Sequence, residues 1–303
     1  MDDTKLHLGI EAGDVLLKVA LYNPQEKKVV KTAILNTETN PLDDVSSFEA
    51  ALQAWFAENE DVNVGSVSLT VPSFRAIVRQ VFIPSEAKNI REYLQWYLGT
   101  LVNVSADDYV LDFVELGGSA ELGRTVLMIA MRKVWVNSIR KGFRNQQIAP
   151  KVLEVDILSI MNLLETAGGL DGKLQCVIKA DTNGVMLLWI SRDDLRCVSH
   201  CPTFDLAGKS REDAYAILSQ NVAKQMRSSE EIYGMSVNRF LLCGELATDE
   251  LFVQNLLKEL EGKSLKLMDS FENIRLPTDE ESANHVLSCV GAIGVALRSV
   301  NHD

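Results

Sequence analysis

The chain has 303 residues, 47% of them apolar and 24% charged, with a formal net charge of −12 and a pI near 4.9. That length and apolar share suffice for two lobes with sizeable cores. The acidic balance argues against nucleic acid or a bare anionic membrane as the main partner, since both carry negative charge, and it suits a soluble cytoplasmic protein.

The N-terminus, MDDTKLHLGIEAG, lacks the basic-then-apolar layout of a signal peptide, and no run reaches the roughly 18 apolar residues of a membrane span. The first segment reads as three strands, at 6–12, 15–22 and 28–35, divided at Gly13-Asp14 and Asn23-Pro24. Ser46 with Glu49 makes a capping-box signal for a helix whose apolar stripe is Phe48, Leu52, Trp55 and Phe56. Strands follow at 64–71 and 74–84, then a helix over about 86–102. A strand pair at 108–116 and 124–131 leads into a helix over about 133–146, a strand at 151–156 and a helix at 157–167 that ends at Gly168-Gly169.

After Gly172 the order begins again. Strands are predicted at 174–181, 184–191 and 195–202, with turns at Asp181–Gly184 and Arg192–Asp194. The first of these turns reads as an Asn-Gly type I′ hairpin. Then come a helix over 211–233, a strand at 238–244, a helix over 247–262, a short strand at 264–268 and a last apolar helix over 285–300. The acids at 279–281 read as a solvated loop. Three strands followed by helix and strand therefore occur twice, without close sequence repetition.

The five cysteines are odd in number and lie mostly in apolar runs, which suits reduced, buried thiols. Cys197, His200 and Cys201 invite a metal reading, but the spacing is not CxxC and no second cluster completes four ligands. On a strand, 197 and 201 share a face and pack. No Ser-His-Asp or Cys-His constellation stands out among His7, His200, His285 and His302.

The duplicated units resemble those of the actin and sugar-kinase superfamily. Within it, the chain is similar to the PilM family of type IV pilus assembly proteins, and more distantly to FtsA and the cytoplasmic part of GspL. The stretches that carry this are GIEAGDVLLKVALY, VSLTVPSFRAIVRQVFIPSEAKNIREYLQWYLG, DDYVLDFVEL, LLCGELATDELFVQNLLKEL and VGAIGVALRS. The resemblance implies an actin-like (ribonuclease H-like) duplicated α/β fold. The first lobe would span 1–172, with an extra subdomain at about 73–150. The second would span 173–303, its closing helix returning toward lobe one. It also implies a protein peripheral to the inner membrane that binds the cytoplasmic tail of a PilN-like bitopic partner. That tail would lie in a groove between the first lobe and the extra subdomain, and the complex would connect onward to a motor ATPase. Tyr93, Trp96 and Tyr97 lie in that subdomain. They read either as partner anchors or as ordinary helix-face residues.

Bound ATP with magnesium is a family property, and its three motifs are altered here. The first hairpin, in the family like GIDIGSSSVK, keeps only Gly9, Gly13 and Lys18; Glu11 replaces an Asp, and Asp14, Val15 and Leu16 take the hydroxyl positions. Carboxylates there repel phosphate, and Val and Leu donate nothing. Lys18 is most simply a strand lysine. In the second hairpin Lys179 stands at the acid position and Asp181 is displaced by two, before Asn183 and Gly184. In the third, Gly244 is kept and Glu245 replaces a second glycine. The nucleotide site therefore reads as degenerate, and the chain as a scaffold without a cofactor. Alternatives are an ATP-binding actin-like assembly protein, an acidic metal cluster of Glu11, Asp14 and Asp181, and a sugar or acetate kinase relative, for which no general-base Asp is evident.

Overall fold

The computed structural model describes residues 5–119, 121–144, 149–170, 172–191, 194–203, 206–260 and 262–298. β1 (Leu6–Ala12), β2 (Leu16–Asn23) and β3 (Lys28–Asn36) form an antiparallel meander, followed by α1 (Val45–Glu58) and β4 (Val64–Val71). An insertion follows: β5 (Ile77–Ile83), α2 (Ile90–Leu101), β6 (Tyr109–Ser119) and β7 (Gly123–Arg132), with strand order β5-β7-β6. The chain returns through α3 (Lys133–Arg144) and β8 (Pro150–Val155), then α4 (Asp156–Thr166). The first sheet is ordered β3-β2-β1-β4-β8, with β1, β4 and β8 parallel.

The second half comprises β9 (Gln175–Asp181), β10 (Gly184–Ser191), β11 (Asp194–Pro202), α5 (Arg211–Tyr233), β12 (Arg239–Cys243), α6 (Glu250–Glu259), β13 (Ser264–Leu267), α7 (Glu280–His285) and α8 (Val290–Arg298). Its sheet is ordered β11-β10-β9-β12-β13, strand for strand the plan of the first. Each sheet's central strands are buried apart from their end residues, as expected where helices cover both faces.

α8 packs on the first lobe, not the second. A methyl group on Gly9 of β1 would lie 2.0 Å from Ala292 O of α8, so glycine permits that approach. Asn162 Nδ2 of α4 donates to Gly294 O at 2.7 Å. Gly244, φ 98°, ends β12 where a Cβ would lie 2.3 Å from Ala180 O of β9. The packing of the chain itself thus requires glycine at both positions.

The structure corrects four local readings. α1 is capped by Asp44, whose Oδ1 accepts from Ser46 N at 3.0 Å, so Ser46 lies inside the helix. The acids at 279–281 cap and open α7, with Asp279 Oδ1 accepting from Ser282 N at 2.8 Å. The β9–β10 turn is Thr182-Asn183, with Gly184 already paired to Asp181. It is not type I′, because Lys27 is the only non-glycine residue with positive φ among the described residues. Finally, the separate sheet of the insertion ends at Arg132. α3 leaves it to pack on α1, with Phe48 and Phe143 edge to face at 5.2 Å, and β8 pairs with β4. The predicted helix end at 145–146, the turn at 192–193 and the end of the closing helix at 299–300 lie outside the described residues.

Candidate functional site: a cleft held by ion pairs, and a groove

The β1–β2 and β9–β10 hairpins meet across the cleft between the lobes, and two buried lysines lie there. Lys18 projects from β2 in a strand that is otherwise apolar over LLKVALY, and it is 1% exposed. Its ammonium lies 2.7 Å from Asp181 Oδ1, 3.0 Å from Glu245 Oε1 and 3.7 Å from Glu11 Oε1. Lys179, from β9, reaches the other way. Its ammonium pairs with Asp181 Oδ2, lies 2.7 Å from Glu11 Oε1 and 3.5 Å from Asp156 Oδ2. Each lobe thus sends one ammonium to the other lobe's carboxylates. The expectation that Lys18 is an ordinary strand lysine fails, because a lysine inside a doubly covered sheet has no solvent to reach and must be paired.

The electrostatics follow. Burial alone would lower both lysines, but the facing carboxylates, Asp181 foremost, hold them above the ordinary lysine range. Burial would raise Asp181; Lys179 and then Lys18 hold it below the usual carboxylate range instead. Glu245 N donates to Asp181 Oδ1 at 3.0 Å, while Thr182 Oγ1 donates to Glu245 Oε2 at 2.7 Å. Glu11 Oε2 is buried without a hydrogen-bond partner.

Asp14 does not join this cluster. It is exposed at the hairpin tip, where Asn40 Nδ2 donates to it at 2.8 Å and Arg75 lies 3.9 Å away. Gly13 helps close that hairpin, with Gly13 N donating to Leu16 O at 2.9 Å. Among the described residues, no three His, Cys, Asp or Glu side chains come together to hold a metal.

Beside the cluster is a cavity of about 280 Å³ lined by Phe74, Met186, Asn183 and His200. Ser73 Oγ and His200 Nε2 are 2.8 Å apart, and Asp156 Oδ1 accepts from Ser73 N at 2.9 Å. Burial lowers the His200 imidazole below its ordinary value. Sequence reasoning missed Asp156, Ser73 and His200 as cleft residues, since nothing local marks contacts so distant along the chain. Cys197 and Cys201 pack into the second core, as strand alternation predicts.

A separate groove of about 300 Å³ runs between the inserted sheet and β8, the last strand of the first sheet. Strand alternation builds it. Val126, Met128 and Ala130 of β7 pack with Leu94 and Leu98 of α2, while Leu127 and Met131 join the first lobe's core. On β6, Leu111 and Phe113 face α2, and Val110 and Asp112 line the groove. Its floor includes Leu153 and Glu154 of β8. Ser159 Oγ donates to Glu154 Oε1 at 2.8 Å and Arg298 Nε lies 3.7 Å from Oε2, yet burial pushes the carboxyl up to about 7. Tyr93, Trp96 and Tyr97 lie on α2, across the sheet. Tyr93 and Tyr97 pack against its core, Trp96 is 62% exposed, and none of the three lines the groove.

Comparison with solved structures decides the fold. The protein of the PilM–PilN type IV pilus biogenesis complex superposes with a TM-score of 0.76, at 17% identity, over 97% of this chain and 98% of that one. The chain has the actin-like fold. The cytoplasmic domain of EpsL, an inner-membrane component of the Vibrio cholerae type II secretion system, matches at a TM-score of 0.55 and 10% identity, over 98% of this chain and 94% of that one. A Bacteroides thetaiotaomicron protein with an actin-like ATPase fold and unknown function matches at 0.52 and 12% identity, over 89% and 94%. The sequence matches no family model and no curated protein. Among the described residues, no helix is long and apolar enough to cross a membrane.

Proposed function

We propose that this actin-fold chain is a non-catalytic adaptor of a pilus- or secretion-type inner-membrane platform. It would bind the cytoplasmic tail of a PilN-like, membrane-anchored protein in the groove between the inserted sheet and β8. The observation that carries this reading is the insertion itself, which sets a groove of about 300 Å³, lined by apolar residues with a few charged ones among them, along the terminal strand of a sheet. Such a place takes up an extended peptide. The likeness to the PilM–PilN complex covers 97% of the chain and supports it. A link onward to a motor ATPase belongs to the same reading.

The cleft residues do not fit magnesium-ATP. A triphosphate needs free donors, and both ammoniums are already shared among four carboxylates. Phosphate oxygens would face Glu11, Asp181 and Glu245 at contact distance, where each like-charge pair costs on the order of 1 kcal/mol or more. One feature favours the alternative, a nucleotide-binding assembly protein. An open hollow of about 760 Å³ lies at the third motif, walled by Arg211, Tyr215, Glu245 and Asp249. Its cationic anchor is already engaged, since Arg211 pairs with Asp249, to which the Tyr215 hydroxyl also donates.

The adaptor reading is tested by co-purification from detergent-solubilised native membranes. Recovery of a single-span protein with a short cytoplasmic tail, abolished by Val110→Asp, supports it. Failure to enrich any such protein counts against it.

A further inference from the structure

We infer that the Lys179 ammonium occupies the seat of a bound cation, so that the chain closes its cleft with its own charges where a metal-bearing ligand would otherwise bridge the lobes. The inference rests on the reading of the cleft as closed to nucleotide and adds to it a specific role for one residue.

Three carboxylates converge on this one nitrogen, and two of them, Glu11 and Asp156, come from the other lobe. Glu11 comes from the end of β1, Asp156 from the first turn of α4, and Asp181 from the end of β9. Glu11 Oε1 stands at 2.7 Å and Asp156 Oδ2 at 3.5 Å, with Asp181 Oδ2 in direct contact. All are at most 4% exposed except Asp181, whose side chain is 8% exposed. An all-oxygen set drawn from separate elements around a single positive centre is how proteins hold a hard cation. Glu11 Oε2 has no hydrogen-bond partner, so that carboxylate has coordination to spare. As the chain stands the ammonium fills the seat, and the set is no metal site. The ammonium also bridges the lobes, because Glu11 and Asp156 belong to the first and Lys179 to the second. Lys18 makes the converse crossing to Asp181 and Glu245.

Truncating Lys179 should therefore expose a latent cation site. With oxygens at 2.7 and 3.5 Å the set must draw inward on any ion, and calcium, which takes oxygens at about 2.3–2.6 Å with flexible geometry, requires less of this than magnesium, which requires near-octahedral oxygens at about 2.0–2.1 Å. The experiment is thermal melting of the full chain in chelator, and in calcium or magnesium at matched ionic strength. The wild type should melt at one temperature in all three. Lys179→Ala should melt lower in chelator and recover most of the loss in millimolar calcium, less in magnesium. Lys179→Met, whose side chain fills the seat without charge, should melt lower and stay there. The double variant Lys179→Ala with Glu11→Gln should lose the calcium response.

A folded Lys179→Ala that ignores both metals overturns the inference. If Lys179→Ala does not accumulate folded, refolding with and without calcium is the measurement, and no gain with calcium overturns it. Wild-type melting raised by magnesium-ATP would instead overturn the closed-cleft reading on which the inference rests.

Discussion

The Lys18 ammonium of the first lobe lies 2.7 Å from Asp181 Oδ1 of the second, across 163 positions of sequence. Glu245 Oε1 stands 3.0 Å away on its other side. An uncharged residue at 18 would leave two carboxylates buried with one cation fewer. Breaking a buried pair from one side costs about 3–5 kcal/mol. Lys18→Met should therefore lower stability by that order in urea melts at neutral pH. Wild-type stability in Lys18→Met would remove the pair from the account.

The pH dependence of stability should show two opposed contributions. Glu154 moves from an ordinary 4.5 to about 7 in the fold. An acid raised by folding contributes stability that is full below about 4.5 and lost as pH rises through about 7. Wild type should then weaken relative to Glu154→Gln over that window, by up to about 3 kcal/mol. Asp181 works the other way. Its carboxyl is held low, so its contribution is full above the ordinary carboxylate range and disappears as pH falls through and below it. A flat difference between wild type and Glu154→Gln from pH 4.5 to 7 would contradict the assignment of Glu154.

The groove and the outer face of the inserted sheet should separate cleanly in binding. Val110 is 42% exposed on the groove side of β6, and Trp96 is 62% exposed on the opposite side. Surface changes of this kind shift stability by about 0.5 kcal/mol or less. Val110→Asp should weaken capture of the membrane partner at least tenfold, whereas Trp96→Ala should leave it unchanged. The reverse pattern would move the binding surface to α2, where Tyr93, Trp96 and Tyr97 cluster.

Gly9→Ala should be among the most damaging small substitutions in the first lobe. A methyl there meets the α8 backbone at 2.0 Å, and backbone cannot swing aside. Overpacking of this kind costs about 1–3 kcal/mol or more, read as a lower urea midpoint. A neutral result would mean that α8 does not sit against β1.

Much of the architecture was legible because its signals are local. Apolar runs, turn residues at Gly13 and Asn23, and the glycine at 168, φ 77°, each mark an element edge. The duplicated order of elements follows from them. The site was less legible, because it is assembled from ends of elements that meet only across the lobes. Glu11, Asp181 and Glu245 stood out as departures from a motif, but their partners did not. Lys18 and Lys179 did carry a signal: Lys18 is the lone charge of a buried apolar strand, and Lys179 shares its buried strand only with Asp181. Such a residue requires a counter-charge within reach. Reading Lys18 as simply a strand lysine overlooked that its strand has no solvent-facing side. Tyr93, Trp96 and Tyr97 lie on α2 of the insertion, but which face α2 covers depends on tertiary packing that helical periodicity does not specify.

The most direct test of the closed cleft is calorimetric titration of the purified chain with magnesium-ATP, after checking by denaturation and chromatography that no nucleotide is carried through purification. The account predicts no binding heat with the protein at tens of micromolar and no co-purified nucleotide. Stoichiometric binding at micromolar affinity would contradict it. The lysine–carboxylate network would then have to open to admit phosphate, and the chain would be a nucleotide-dependent actin-like protein.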